Sequence, residues 1–187
     1  EPTLPKELEG ALRSLYGHYE RSFGQWKETG LGTPPVFIVV CNNTNVSKLV
    51  FDWIAGYRKA DTGAAVPGHL KFFSNVDDDG RWLARPNTLL IDSAQLESGD
   101  SMDDAFKKAA AAEIEEFKAA YRQRAGADVE QLSDEDLLRE VMNTVGKPGQ
   151  LGEQIRCVVS VSMLTEGWDA STVTHILGVR AFGTQLL

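Results

Sequence analysis

Three short polar stretches carry the residue types best suited to ligand chemistry, and each directly follows or closes an apolar run. They read CNNTN at residues 41–45, IDSAQ at residues 91–95 and SMLTEGWD at residues 162–169. Their side chains offer amides, hydroxyls and isolated carboxylates, which hold a ligand through hydrogen bonds. None of them combines a nucleophile with a base and an orienting group. These stretches therefore predict ligand binding, and not a self-contained hydrolytic site.

One glycine-rich stretch imitates a phosphate-binding loop but lacks its essential residues. VGKPG at residues 145–149 does not have the G-x-x-x-x-G-K-[ST] spacing, and Pro148 stands where the magnesium-binding hydroxyl belongs. Proline also removes a backbone N–H donor. No G-x-G-x-x-G motif follows an apolar run. We therefore expect no phosphate loop in this sequence.

Metal-binding residues are scattered along the chain. The histidines show no ligand spacing, so no metal site is predicted. His18 and His175 are expected to be packed or surface residues. Residues 77–79 are three aspartates, which predict the tip of a turn, with a cation contact as the alternative.

Apolar spacing predicts the elements that must position the polar stretches. Apolar residues three and four apart predict a long amphipathic helix over residues 5–28, ended by Gly30. The continuous run PVFIVVC predicts a strand buried on both faces. Asn45 is expected to cap the helix that follows. Residues 56–87 are rich in turn formers and predict at most short extended pieces.

The second half of the chain continues the alternation of strand and helix. TLLID predicts a buried strand, and IRCVVSVS and THILGV predict two more. Capping boxes at Ser101/Asp104 and Ser133/Asp136 predict two helices between the TLLID strand and the IRCVVSVS strand. The fold class is therefore α/β, a mostly parallel sheet flanked by helices, with an acidic helical segment over about residues 97–145. Ligands gather at the carboxyl ends of such strands, where the polar stretches lie.

Composition and charge indicate one ordinary domain over residues 1–187, with a leading helix and linker over residues 1–34. No apolar run is long enough to span a membrane, and the first residues do not resemble a secretory signal. We therefore expect a cytoplasmic protein without a membrane partner, in which Cys41 and Cys157 are buried, reduced thiols. The net charge is −8, but residues 97–140 hold 13 acids and 6 bases, a net of 6 − 13 = −7. The remaining surface is thus compatible with DNA binding.

Two of these stretches resemble helicase motifs. SMLTEGWDASTVTHIL at residues 162–177 resembles motif V of superfamily 2 helicases, and FIVVCNNTN at residues 37–45 resembles their motif IV. NTLLIDSAQLESGD and NTVGKPGQLGEQIRCVVSVSMLTEGWD resemble stretches between those motifs. The chain is therefore similar to the second RecA-like domain of DEAD/DEAH-type helicases, in the P-loop NTPase superfamily. It is most like the helicase subunit of type III restriction enzymes, over roughly residues 35–187 with gaps.

The resemblance implies a shared nucleotide site. Gly167 and Asp169 match the family's Gly-x-Asp, so Gly167 would let the backbone approach the ribose and Asp169 would accept its hydrogen bond. The alternative role for Asp169 is to cap the turn that follows. ATP and Mg²⁺ would bind the parent protein, whose phosphate loop and magnesium-binding motif lie in a first RecA-like domain. No catalytic residue is expected in this chain, which alone should be inactive.

The resemblance also implies contacts to DNA phosphates. Many relatives place a threonine where this chain has Val161, so the contact is assigned to Ser162, with Thr165 as the second choice. Small polar side chains of this kind position a nucleic-acid backbone without reading its sequence. The motif IV-like loop offers three further donors, for which helix capping is the alternative role: Asn42, Asn43 and Thr44.

These roles imply the second motor domain of an ATP-dependent DNA helicase or translocase, in the restriction subunit of a type III restriction-modification system. The sequence stops at Leu187, before the family's motif VI, which predicts a fragment of a larger ATPase. Its partners would be DNA, the first RecA-like domain and a methyltransferase or specificity subunit. Whether the parent also cuts DNA is left open. The alternative is a non-catalytic α/β interaction module whose acidic segment faces a partner.

Overall fold

The computed structural model describes residues 1–91, 104–125, 133–161 and 173–179. Its strands are β1 (Val36–Cys41), β2 (Gly56–Arg58), β3 (Ala65–Pro67), β4 (Thr88–Ile91), β5 (Cys157–Val161) and β6 (Val173–Val179). Its helices are α1 (Lys6–Thr29), α2 (Thr44–Ala55), α3 (Asp104–Ala109), α4 (Ala111–Ala125) and α5 (Asp134–Asn143), with a 3₁₀ turn at Lys71–Phe73. The predicted order of strands and helices is confirmed within these residues, except that the first acidic helix is divided at Ala110.

Four of the strands form one parallel sheet in the order β4-β5-β1-β6. β1 lies between β5 and β6, and its register pairs Cys41 with Val161 on one side and with Val179 on the other. β4 pairs with β5, so that Ile91 lies beside Ser160. The strands therefore end side by side along one boundary of the sheet, which we call the carboxyl edge. β2 and β3 form a separate antiparallel hairpin.

Helices cover both faces of the sheet. On the first face, α1 and α2 pack against Phe37 and Val39 of β1, whereas α4 and α5 pack on the second face against Val36 and Ile38. Successive strand residues point to opposite faces, so a strand buried on both sides must be apolar throughout. These three layers confirm the predicted α/β fold, and they are consistent with a RecA-like domain.

The connections between strands leave the carboxyl edge in two directions. β1 connects to β4 through α2 on the first face, and β4 connects back to β5 through α4 and α5 on the second face. These two connections run in opposite directions on opposite faces of the sheet, so both crossovers have the same handedness. Crossovers between parallel strands are expected to share one handedness. Ligands of open α/β sheets bind outside the carboxyl ends of the strands, so this edge is where a binding site is expected.

The leading helix α1 belongs to the packed core of the first face. It buries Leu12 and Tyr19 completely, and the Tyr19 ring meets the Phe73 ring edge-on with centroids 4.7 Å apart. Gly30 ends the helix in the left-handed conformation, as predicted, and its N–H donates to the Trp26 carbonyl. Among the described residues, no helix combines the length and apolar character that crossing a bilayer requires.

The described part of the acidic segment is helical, as predicted. Ser133 caps α5 through the expected capping box: its hydroxyl accepts the Asp136 N–H at 3.2 Å, and the Asp136 carboxylate accepts the Ser133 N–H at 3.0 Å. Four apolar residues of α5 are buried in the core of the second face: Leu137, Leu138, Val141 and Met142. The other predicted capping box begins at Ser101, which lies outside the described residues.

Asn75 fastens the turn-rich residues 56–87 to the sheet. Its side-chain amide donates to the Thr88 carbonyl at 2.9 Å, and its side-chain oxygen accepts the N–H groups of Asn87 and Thr88 at 2.8 and 3.0 Å. Its own N–H donates to the carbonyl of Ala55 at 2.7 Å. The side chain is 2% exposed. One asparagine therefore joins the end of α2 to the start of β4.

Replacing Glu140 by glutamine should raise the thermal stability at pH 7. Burial on α5 raises the pKa of the Glu140 carboxyl, although Arg124 and Lys147 partly oppose the shift. A raised folded-state pKa gives stability that is present below the unfolded value and lost as the pH rises through the folded value. Glutamine avoids that loss, so the difference in midpoint temperature should be clear at pH 7 and vanish below about pH 4.

The matched control for this substitution is Glu116→Gln, which removes a negative charge from an exposed site on α4. It should leave the melting temperature nearly unchanged at both pH values. Equal melting temperatures of wild type and Glu140→Gln at pH 7 would contradict the predicted cost of burial.

Candidate functional site

The motif IV-like loop lies at the carboxyl edge, directly after β1. β1 ends at Cys41 and α2 begins at Thr44, so Asn42 and Asn43 form the whole connection. Asn42 and Thr44 are exposed, whereas Asn43 is half-buried. Since β1 has a strand on either side, this loop stands in the middle of the edge and not at a corner of the sheet.

Asn43, and not Asn45, caps α2, so the predicted capping role of Asn45 is wrong. Asn43 has an extended backbone (φ −152°, ψ 161°), and its side-chain oxygen accepts the Val46 N–H at 2.8 Å. An N-cap residue precedes the first helical residue, and its side-chain oxygen accepts the backbone N–H two or three positions later. Asn45 fails this condition because the helix already begins at Thr44, which leaves Asn45 exposed within the first turn.

The capping contact leaves hydrogen-bond donors on the loop. The Asn43 side chain uses its oxygen in the cap, and an amide has two N–H donors besides that oxygen. The Asn42 amide and the Thr44 hydroxyl are exposed to solvent. α2 has no acidic residue in its first turn, so the positive end of its dipole is not neutralised there. This arrangement suits a phosphate or another anion.

β5, which leads into residues 162–169, ends beside this loop. In the sheet register Val161, the last described residue of β5, pairs with Cys41, the last residue of β1. Paired residues of neighbouring strands lie about 5 Å apart, so both polar stretches start from adjacent points of the edge. Val161 itself is half-buried and has no polar side-chain atom for a phosphate. The remaining predicted site residues lie outside the described residues: Ser162, Thr165, Gly167 and Asp169.

The cysteines are structural, as predicted. Both are free and buried. Burial raises the pKa of the Cys41 thiol to about 11 and moves that of Cys157 still further upward. Only the thiolate is nucleophilic, so neither sulfur is reactive at neutral pH. Neither thiol therefore contributes to the chemistry of the carboxyl edge.

The histidines predicted to be packed or at the surface are confirmed in those roles. His18 is exposed, and its Nδ1 lies 2.9 Å from Nη2 of Arg21. His175 is half-buried and stacks on Phe37 with ring centroids 6.1 Å apart. Burial, with a smaller contribution from His18, lowers the pKa of His175. Both residues therefore serve packing and surface hydrogen bonding.

Residues 77–79 form the turn predicted for them. The Asp77 carboxylate accepts the N–H groups of Asp79 and Arg81 at 3.0 and 2.8 Å. The hydrogen bond from the Arg81 backbone is the largest cause that lowers the pKa of Asp77. In the described parts of the chain, no three histidine, cysteine or acidic side chains are grouped so that they hold a metal ion.

Sequence patterns missed one feature, a cavity lined by residues of the 67–87 region. The three aspartates of residues 77–79 were noted as a turn, but only the folded 67–87 region brings them together with His69, Ser74 and Asn87. By contrast, the carboxyl edge was predictable from polar stretches that follow apolar strands. No protein-family model, curated protein or solved structure matches this chain. The function is therefore argued from its own motifs and from the geometry of this edge.

Proposed function

We propose that this chain is the second motor domain of an ATP-dependent DNA helicase or translocase, in the restriction subunit of a type III restriction-modification system. It would share ATP and DNA with a first RecA-like domain and work in the cytoplasm, with a methyltransferase or specificity subunit as a further partner. The observation that carries this proposal is the pairing of β1 with β5. In that register Cys41, which precedes the polar loop of the motif IV-like stretch, lies beside Val161, which precedes the motif V-like stretch.

The described side chains support a role in holding a nucleic-acid backbone. Asn42, Asn43 and Thr44 offer neutral donors at the N-terminal end of α2, where the helix dipole favours negative charge. Neutral donors contact phosphates without reading bases, as movement along DNA of any sequence requires. Because a translocating motor must release each phosphate again, several weak contacts suit it better than one strong ion pair.

The nucleotide chemistry is divided between two domains in this proposal. Gly167 and Asp169 would hold the ribose, whereas the first RecA-like domain would supply the phosphate loop and the Mg²⁺ ligands. The described residues at the carboxyl edge fit that division, since Asn42, Asn43 and Thr44 are amides and a hydroxyl, which are poor Mg²⁺ ligands compared with carboxylates. ATP bound between the domains would supply the driving force for movement.

Removing two exposed donors should weaken DNA binding about tenfold. Asn42→Ala combined with Thr44→Ala deletes two neutral hydrogen bonds, each worth about 0.5–1.5 kcal/mol. Asn43 is left in place because its loss would also remove the cap of α2. The measurement is fluorescence anisotropy of labelled single-stranded and duplex DNA with the full protein. The slope of log affinity against log salt should stay unchanged, because neutral groups release no counterions.

Gln25→Ala is the control for this pair. Gln25 is an exposed amide near the end of α1, which connects through residues 30–35 to the start of β1 and so lies toward the opposite edge of the sheet. It should bind DNA as the wild type does. Unchanged affinity in the double variant would remove the motif IV-like loop from the DNA interface.

ATP turnover tests the motor assignment itself. In the full protein, with both RecA-like domains, ATP hydrolysis should be stimulated by DNA and should fall at least tenfold in Asp169→Ala. Asp61→Ala, an exposed carboxylate in the β2–β3 turn, should keep wild-type turnover. A full protein without nucleotide turnover, with or without DNA, would favour the interaction module instead. The acidic segment of residues 97–140 would then be the part of the chain to test for a partner.

A further inference from the structure

A cavity of about 720 Å³ opens in the 67–87 region, on the side of the sheet away from the carboxyl edge. Asn87, one of its lining residues, directly precedes β4, and its carbonyl accepts the N–H groups of Arg156 and Cys157 where β5 begins. The cavity is therefore separate from the proposed DNA and nucleotide site. Its volume lies within the range of roughly 300–1,000 Å³ that is usual for small-molecule sites.

The walls of this cavity are held in place by hydrogen bonds to buried groups. The buried Ser74 hydroxyl accepts the Gly68 N–H at 3.1 Å and donates to the Val76 carbonyl at 2.9 Å. The Asn87 side-chain amide donates to the Ser74 carbonyl at 2.8 Å. Gly68, Val76 and Asn87 are thus all hydrogen-bonded to Ser74. A site with fixed walls loses little freedom when a ligand binds.

His69 lines the cavity with a ring whose orientation is fixed by Trp53. Its ring stacks on Trp53 with centroids 4.7 Å apart and planes 5° from parallel, and its Nδ1 lies 3.0 Å from the Trp53 carbonyl oxygen. A carbonyl only accepts, so Nδ1 carries the proton in the neutral ring and Nε2 is left as the acceptor. Stacking and the hydrogen bond together fix the orientation of the imidazole.

Some of the charged side chains that line the cavity form ion pairs and others do not. Asp77 and Asp79 are both paired with Arg81, which lies in the same turn. Among the described residues, Asp78 and Lys71 form no such ion pair, and both line the cavity with exposed side chains. The opening therefore offers one available carboxylate and one available ammonium group.

The polar groups of the lining call for a ligand with two opposite charges. Asp78, Nε2 of His69 and the Asn87 side-chain oxygen are acceptors, and they suit a group with several N–H donors. Lys71 suits an anion. We propose that the cavity binds a small zwitterion of the amino-acid class, whose guanidinium or ammonium group meets Asp78 and whose carboxylate meets Lys71.

L-Arginine is the probe for this site, and the full protein is titrated with it by NMR and calorimetry. A saturable Kd on the order of 1 mM is expected for so few contacts. Citrulline lacks the guanidinium charge and agmatine lacks the carboxylate, so each should bind more weakly than arginine. Asp78→Asn should weaken arginine binding at least tenfold. Lys71→Gln should weaken the binding of arginine but not that of agmatine.

Asp61→Asn is the matched control, because Asp61 is an exposed carboxylate of the neighbouring hairpin turn that does not line the cavity. It should bind arginine like the wild type. Asp78 and Lys71 are exposed, so the variants should fold normally, and melting temperatures verify this. The proposal is overturned if the wild type shows no saturable binding up to about 20 mM arginine. Equal affinity of wild type and Asp78→Asn would overturn it as well.

Discussion

Asn75→Ala should lower the free energy of unfolding by about 3–5 kcal/mol, because a single side chain serves three backbone groups, of which the two of Thr88 are buried. The asparagine amide pairs with the Thr88 carbonyl and with the N–H groups of Asn87 and Thr88. Each backbone group left without a partner costs about 1–3 kcal/mol when water cannot replace the lost bond. The side chain is 2% exposed, so water has little access unless the loop opens.

Urea-induced unfolding gives the measurement for Asn75→Ala, with the m value as a check that the transition keeps its character. Asn45→Ala is the matched control: Asn45 is an exposed asparagine in the first turn of α2, and its loss should change stability by less than about 0.5 kcal/mol. A decrease below about 1 kcal/mol for Asn75→Ala would show that the 56–87 region is not anchored through this residue.

Gly68→Ala should destabilise the protein by about 3 kcal/mol or more, for a steric reason. A Cβ at Gly68 would overlap the Ile54 carbonyl oxygen and lie 2.8 Å from the Ala55 carbonyl carbon. Both are backbone atoms at the end of α2, so no side chain can rotate away to make room. The helix end or the cavity wall must move, and such overpacking is costly. Thermal and urea-induced unfolding both measure the loss.

Gly17→Ala is the opposite case and the control. Gly17 lies in the middle of α1, and a Cβ there would meet no atom within 4 Å apart from the backbone of its own helix. Alanine in a helix interior is favoured over glycine by about 0.5–1 kcal/mol, so this variant should be more stable than the wild type. If both glycine variants had the same stability, the close approach of Gly68 to α2 would be refuted.

Most of the secondary structure was predictable because it follows from local patterns. A strand covered on both faces must be continuously apolar, and β1 and β5 show this directly. α1 shows its buried face at intervals of three and four residues, and Gly30 marks its end. The capping box of α5 needs only Ser133 and Asp136, which lie three residues apart. In each case the decisive interactions join neighbours in sequence.

The candidate site was predictable in its location but not in its detail. Parallel strands end at one edge, so polar residues after β1 and β5 had to lie near each other. Whether Asn43 or Asn45 caps α2 depended on the residue at which β1 ends. The pairing of β1 with β5 and β6 determines that residue. The roles of Gly167 and Asp169 stay predictions.

The sequence by itself therefore determined the strands, the helices, their buried faces and the edge at which we predict ligand binding, because each depends on residue types a few positions apart. The tertiary structure alone decided the order β4-β5-β1-β6, the anchoring of residues 56–87 by Asn75 and the cavity beside His69. These features depend on contacts between distant residues, such as His69 with Trp53 and Asn75 with Thr88. No periodicity encodes such a contact, since it exists only once the chain has packed.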